Sequence, residues 1–216
     1  SVATEDVDYT YAVDASDADG DPLTFSLLTA PSGMIINVDS GVIQWTPLQE
    51  HVGDTTVSVE VSDGVLMDTL TYTLTVLPTN DPPVVIVPDT TFAEDGVLVL
   101  DMKPLVDDVD DADNQIIWSV SGTSALTATI TDTVITLEAL EDFEGSEQIT
   151  FTATDPGGLS HSDVATITVT PVNDPPVIFG TPDTTATEGV DYTFTVEASD
   201  DADGDVVSLA LLTAPG

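Results

Sequence analysis

Forty acidic residues stand against a single base, Lys103, so this 216-residue chain carries a formal net charge of −39. A field of that sign excludes nucleic acid and anionic membrane as electrostatic partners and favours cations. Hydrophobic residues make up 41% at a mean hydropathy of +0.19; they alternate with Thr, Ser and Asp, which excludes a disordered acidic tail, while the lack of cysteine excludes disulfide staples and thiolate chemistry.

From the N-terminus, period-two alternation of Val, Ile, Thr, Tyr and Phe predicts strands over 9–13, 23–27, 56–61 and 69–76, then over 97–100, 116–120, 128–130, 134–137, 148–154 and 165–170. No segment holds a helical apolar stripe. Asp39-Ser40-Gly41, Ser62-Asp63-Gly64, Asp95-Gly96 and Asp155-Pro156-Gly157-Gly158 are turn signals between strands. About seven short strands in roughly 90 residues predict an all-β chain of tandem immunoglobulin-like sandwiches, strung as an extended array of beads. Trp45 and Trp118 sit in apolar strand contexts and are expected in the cores.

Asn80-Asp81-Pro82-Pro83-Val84 returns intact as Asn173-Asp174-Pro175-Pro176-Val177, one small β-domain further on. Two prolines fix φ and remove two backbone donors, so the chain leaves the preceding strand stiff and extended. Ala3-Thr4-Glu5 and Val7-Asp8-Tyr9-Thr10 recur as Ala186-Thr187-Glu188 and Val190-Asp191-Tyr192-Thr193, about two linker spacings apart, so two domain types alternate. The expected domains are 1–81, lacking its first strand, a complete domain over 82–174, and the N-terminal half of a third over 175–216. The chain starts at Ser1 in mid-pattern with no signal peptide or transmembrane run, and reads as a window on something longer.

The acids cluster. They concentrate at Asp14, Asp17, Asp19 and Asp21, at Asp107, Asp108, Asp110, Asp111 and Asp113, and at Asp200, Asp201, Asp203 and Asp205, each time between the second and third strands of a domain. Asp63 and Asp155 lie between the last two strands, at the same end of a sandwich. This predicts Asp81 beside the 107–113 loop and Asp155, and Asp174 beside 200–205. Glu5-Asp6, Glu94-Asp95, Glu188 and Glu141-Asp142-Phe143-Glu144 are expected at the opposite ends, facing the departing linkers. Carboxylates so grouped without bases must bind cations, take up protons or repel one another. Ca2+ fits best, because it takes six to eight oxygen ligands in flexible geometry. An EF-hand loop starting at Asp17 is excluded, since its twelfth position is Leu28 and not Glu.

Asp17-Ala18-Asp19-Gly20-Asp21-Pro22-Leu23-Thr24, Gly41-Val42-Ile43-Gln44-Trp45-Thr46-Pro47 and Val61-Ser62-Asp63-Gly64 together resemble the putative-Ig, dystroglycan-type cadherin-like repeat of prokaryotic surface proteins. Ala93-Glu94-Asp95-Gly96, Phe143-Glu144-Gly145, Phe151-Thr152-Ala153-Thr154-Asp155 and the Asn-Asp-Pro-Pro exit resemble the tandem cadherin-like repeats of bacterial adhesins. The resemblance implies a secreted or surface-displayed multi-repeat protein whose joints bind Ca2+. By similarity to cadherins, the ligands at one joint are Glu94, Asp142, Glu144, Asn173, Asp174, Asp200, Asp201 and Asp203. At the earlier joint they are Glu5, Asn80, Asp81, Asp110, Asp111, Asp113 and Asp155, and Asp17, Asp19 and Asp63 are the candidates in the first domain's own loops. Domain one carries Gln49-Glu50 where the cadherin pattern has an acidic pair.

The expected function is a structural or adhesive repeat of a fibre, stalk or adhesin, rigidified by Ca2+, with neighbouring repeats, other copies of itself in a filament, or a glycan or surface receptor as partners. No membrane insertion is expected of this segment. The alternatives are an extracellular glycan-binding module and an acidic halophile-type spacer without a specific metal. Catalysis is not expected: no Ser-His-Asp arrangement with a strained nucleophile turn appears, His51 and His161 stand in different domains, and the paired carboxylates lack an aromatic-lined cleft.

Overall fold

Every other side chain turns inward along the predicted strands, as the pleat requires. In the computed structural model, which describes residues 1–200 and 206–212, these strands build two units, Ser1–Asn80 and Asp81–Gly216.

The first unit runs β1 (Val2–Thr4), β2 (Tyr9–Ala12), β3 (Thr24–Thr29), β4 (Ile35–Ile36), β5 (Val42–Trp45), β6 (Gly53–Ser62) and β7 (Met67–Leu77). They form two sheets, ordered β1-β7-β6-β3 and β2-β5-β4. β6 and β7 are a long antiparallel hairpin, and β1 adds to β7 in parallel. Phe25, Ile43, Trp45, Val57 and Leu74 fill the space between the sheets. Trp45 is a core anchor, and its indole Nε1 donates to the Ser32 carbonyl at 2.9 Å. His51 braces it: the ring meets Trp45 edge-on with centroids 5.0 Å apart, while Nδ1 accepts the Leu48 N–H at 2.9 Å.

The second unit runs β8 (Val84–Val85), β9 (Thr90–Ala93), β10 (Val97–Asp101), β11 (Val106–Asp107), β12 (Ile117–Ser121), β13 (Leu126–Thr131), β14 (Val134–Ala139), β15 (Gly145–Thr154), β16 (Ser160–Thr170), β17 (Val177–Phe179) and β18 (Glu197–Ser199). Its sheets are β12-β15-β16-β9 and β10-β14-β13, with the small pairs β11-β8 and β17-β18. Ile149, Phe151 and Ala153 on β15 are fully buried against Ile135 and Leu137 of β14, and Trp118 packs in the same core. The first strand is split. Val84–Val85 pairs with β11, Pro88 interrupts, and Thr90–Ala93 pairs in parallel with β16. Side chains of β16 cover the break: His161 Nδ1 accepts the Val85 N–H at 3.1 Å, and Asp163 Oδ2 accepts the Val87 N–H at 2.7 Å.

The short strands β1, β4, β5, β8, β9, β11, β17 and β18 were not among those the alternation predicts. Two to four residues hold too little of a period-two pattern to register, and their strand state comes from the neighbour they pair with.

Candidate metal centre

β11 passes its chain to Asp108 and β15 passes its chain to Asp155, and these two loops meet. One carboxylate oxygen from each of Asp108, Asp111 and Asp155 lies within 4.8 Å of the other two. Asp108 has divided duties. Its Oδ1 accepts the N–H groups of Asp110 and Asp111, both at 2.9 Å, which curls the loop into a tight turn. Its Oδ2 is buried and meets no hydrogen-bond donor among the described residues. Asp155 is only 2% exposed and is held by its own turn, where Oδ1 accepts the Leu159 N–H at 2.9 Å. The linker is stitched to this loop as well, since the Asp81 N–H donates to Asp110 Oδ2 at 2.8 Å. Asp113 stands apart, exposed on a short 3-10 turn. Sequence reasoning placed Asp108 in the acidic run but not among the ligands; the signal was its spacing to Asp110 and Asp111, the spacing of a side chain that caps its own turn.

β15 carries the chain from the opposite end of the sandwich, where a second acidic group lies. Glu94, Asp95, Glu141, Asp142, Asp174 and Asp200 line one cleft of about 510 Å3. Glu94 Oε1 accepts the Val172 N–H at 2.6 Å, tying the departing linker to the β9–β10 turn. One oxygen of Asp200 is buried without a hydrogen-bond partner among the described residues. Glu144 is exposed and does not line this cleft, whereas Asp95 and Glu141 do. The Asn173 amide donates to the Asp174 carbonyl at 3.0 Å. Asp201 and Asp203 lie outside the described residues.

The first unit does not assemble an equivalent group among its described residues. Asp17 Oδ1 accepts the N–H groups of Asp19 and Asp21 at 2.8 and 3.0 Å. Asp63 Oδ1 accepts those of Leu66 and Val65 at 2.6 and 2.7 Å, and these two bonds hold its carboxyl below the usual range. Both side chains are thus engaged in shaping their own turns. Glu5 is 1% exposed and engaged too: Thr79 N–H donates to Oε2 at 3.2 Å, and the Gln49 amide, with its nitrogen facing the carboxylate, donates to both oxygens at 3.0 Å. Gln49 therefore satisfies Glu5 at the position where the cadherin pattern has an acid. Asn80 is exposed at the end of the unit.

Residues 1–77 match the family described as Putative Ig domain, and residues 80–170 match the family described as Bacterial Ig domain. Human protocadherin-24 EC1-2 superposes with a TM-score of 0.56 at 17% identity, over 79% of this chain and 94% of that one. The chain carries two Ig-like domains in tandem, with the fold of cadherin repeats. Further cadherin likenesses are protocadherin gamma B2 domains 1-5 (TM-score 0.56, 20% identity, 93% of this chain, 44% of that one) and mouse cadherin-23 EC22-24 (0.53, 16%, 80% and 62%). These show the fold. An endo-fucoidan hydrolase from glycoside hydrolase family 107 also matches, at 22% identity over 80% of this chain. The repeats span only 28% of that chain's length, and the TM-score of 0.38 is too low to bear on activity. No curated protein matches in sequence. Among the described residues no helix is long and apolar enough to cross a membrane.

The repeats' acidic triad has an electrostatic signature. Partial burial, together with the charges of Asp108, Asp155 and Asp110, pushes the Asp111 carboxyl up from its ordinary value of 3.8. The folded chain therefore holds this proton more tightly than the unfolded chain does. The resulting stabilisation is complete below pH 3.8 and is lost as pH rises through the raised folded value. In chelator, the melting temperature of the second unit should fall as pH rises from 3.8 through the raised folded value of Asp111. Asp111→Asn should flatten that slope, as read by calorimetric melts of both proteins across the interval.

Proposed function

We propose that these repeats form a structural or adhesive segment of a large secreted or cell-surface protein, stiffened by Ca2+. The orphaned, buried Asp108 Oδ2 beside Asp111 and Asp155 carries this reading. A buried carboxylate oxygen without a donor is costly, and a cation satisfies it. Two oxygens bound to one Ca2+ at 2.3–2.6 Å can stand up to about 5 Å apart, so a 4.8 Å grouping suits that ion. The donors are all oxygens, with no imidazole or thiolate to favour a softer metal.

Asp108, Asp111 and Asp155 would hold the ion, with Asp81 and Asp110 adjoining. Glu94, Asp142, Asp174 and Asp200 would hold another, tying the sandwich to the segment carrying β17 and β18. Bound there, Ca2+ supplies the positive charge that a chain of 40 acids and one base lacks. The residues do the rest: Asp108 shapes its loop, Asp81 anchors the linker to it, and Pro82 and Pro83 limit the dihedrals left to move.

Small-angle scattering and thermal melts of the chain in millimolar Ca2+ and then in chelator, at constant high monovalent salt, test this. Ca2+ is expected to stiffen the particle and raise its melting temperature. Indifference of both to Ca2+ would overturn the proposal and leave the acids as a solubility coat.

A further inference from the structure

Charged residues make up 19% of the chain, yet residues 22–38 and 114–131 contain none. Other uncharged runs, 40–49, 69–80 and 164–173, include β5, β7 and β16, which lie inside their sheets with partners on both sides. The runs 22–38 and 114–131 are different, because they hold edge strands: β3 and β4 in the first unit, β12 and β13 in the second. Most of the remaining edges carry or adjoin acids, and the two that do not, β8 and β17, are only two and three residues long. β2 lies between Asp8 and Asp14, β9 between Asp89 and Glu94, β10 ends on Asp101 and β11 on Asp107.

An open edge offers a row of unpaired N–H and C=O groups to another chain, and natural sheets blunt such edges with charge, proline, bulges or shortness. In the first unit the uncharged edge is blunted by a register shift between Leu27 and Thr29 and by the two-residue length of β4. β13 has none of these protections. It is six residues, Leu-Thr-Ala-Thr-Ile-Thr, in unbroken register with β14 on one side and, among the described residues, with no strand on the other. Thr127, Thr129 and Thr131 are exposed, as is Ile130 at 38%. Asp132, the acid that follows, lines a cleft together with Lys103, the one cation of the chain.

We propose that β13 is a lateral docking edge for the β13 of a second copy of this chain, paired antiparallel about Thr129. That register places Thr129 opposite itself, Thr127 opposite Thr131, and Ala128 opposite Ile130, so like polar and like apolar residues meet on each face. Charge selects this occupant. A basic partner finds no carboxylate along the strand to attract it there. An acidic partner is repelled except where it too presents a neutral edge, and this chain's own β13 is such an edge. Because each copy carries −39, pairing should require high ionic strength or divalent cations.

The full chain has no cysteine, so a single Thr129→Cys substitution reports the pairing directly. Residues directly opposed across an antiparallel pair stand close enough for a disulfide. In high salt with copper-catalysed oxidation, Thr129→Cys should give covalent dimer in large excess over Thr73→Cys, an exposed position on β7. Sedimentation equilibrium should find a concentration-dependent dimer of the native chain that Thr129→Lys abolishes, with circular dichroism unchanged because the side chain is exposed. A native chain that stays monomeric at millimolar concentration in high salt would overturn the inference. So would a dimer indifferent to Thr129→Lys, or equal crosslinking by the two cysteine variants.

Discussion

Asp108→Asn is expected to raise the melting temperature of the second unit in chelator and to remove the share of the Ca2+-induced rise that comes from the group of Asp108, Asp111 and Asp155. The opposite signs follow from the two oxygens of this side chain. Oδ1 accepts the Asp110 and Asp111 N–H groups, and an asparagine carbonyl oxygen keeps both bonds, so the loop stays in place. The substitution removes one negative charge from the group formed with Asp111 and Asp155, which relieves repulsion when no cation is present. With Ca2+ at a hundredfold excess over its dissociation constant, the native site gains about 2.7 kcal/mol per ion. For a domain of this size that corresponds to about 10–20 °C. Asp108→Ala separates the two effects, because it loses the loop bonds along with the charge and should melt lower than native in either buffer. Calorimetry of the three proteins in Ca2+ and in chelator measures all of this. A Ca2+ response undiminished in Asp108→Asn would place the ion elsewhere.

Phe151→Ala should cost the second unit about 3–5 kcal/mol, the usual range for emptying a buried aromatic site. Phe151 is fully buried on β15, with Val120 of β12 opposite it on one side and Asp163 of β16 on the other. Both neighbouring strands are hydrogen-bonded to β15 along their length, which limits how far the site can collapse to fill the cavity. Against a domain stability of about 5–15 kcal/mol this is a large fraction, so the urea midpoint of the unit should fall sharply with little change in slope. A midpoint shift worth less than about 1 kcal/mol would mean that the core repacks around the loss.

Much of the fold was legible because strand signals are local. Alternation along 148–154 and 165–170 already separates inward from outward residues, and β15 and β16 bury Ile149, Phe151, Ala165 and Ile167 accordingly. The duplicated Asn-Asp-Pro-Pro linkers were legible for a similar reason, since proline acts through its own ring and its missing N–H. Short strands were not. β8 and β11 have two residues each, and their strand state depends on one another.

Acidic clustering was also legible, but which acids meet was not. Asp108 and Asp155 are distant in the chain and are joined only by the loops that β11 and β15 deliver to one end. Asp113, equally acidic in sequence, is carried away on its turn. Asp63 and Asp17 have the residue type of a ligand, yet their oxygens are taken by backbone N–H groups of the turns they shape. Glu5 is satisfied by Gln49 and by the Thr79 N–H, neither of which is near it in sequence. Neighbouring residues alone thus fix the longer strands, the duplicated Asn-Asp-Pro-Pro motif and the excess of carboxylate. Which carboxylates keep an oxygen for a cation is settled by the packed fold, because that depends on donors brought in from elsewhere in the chain.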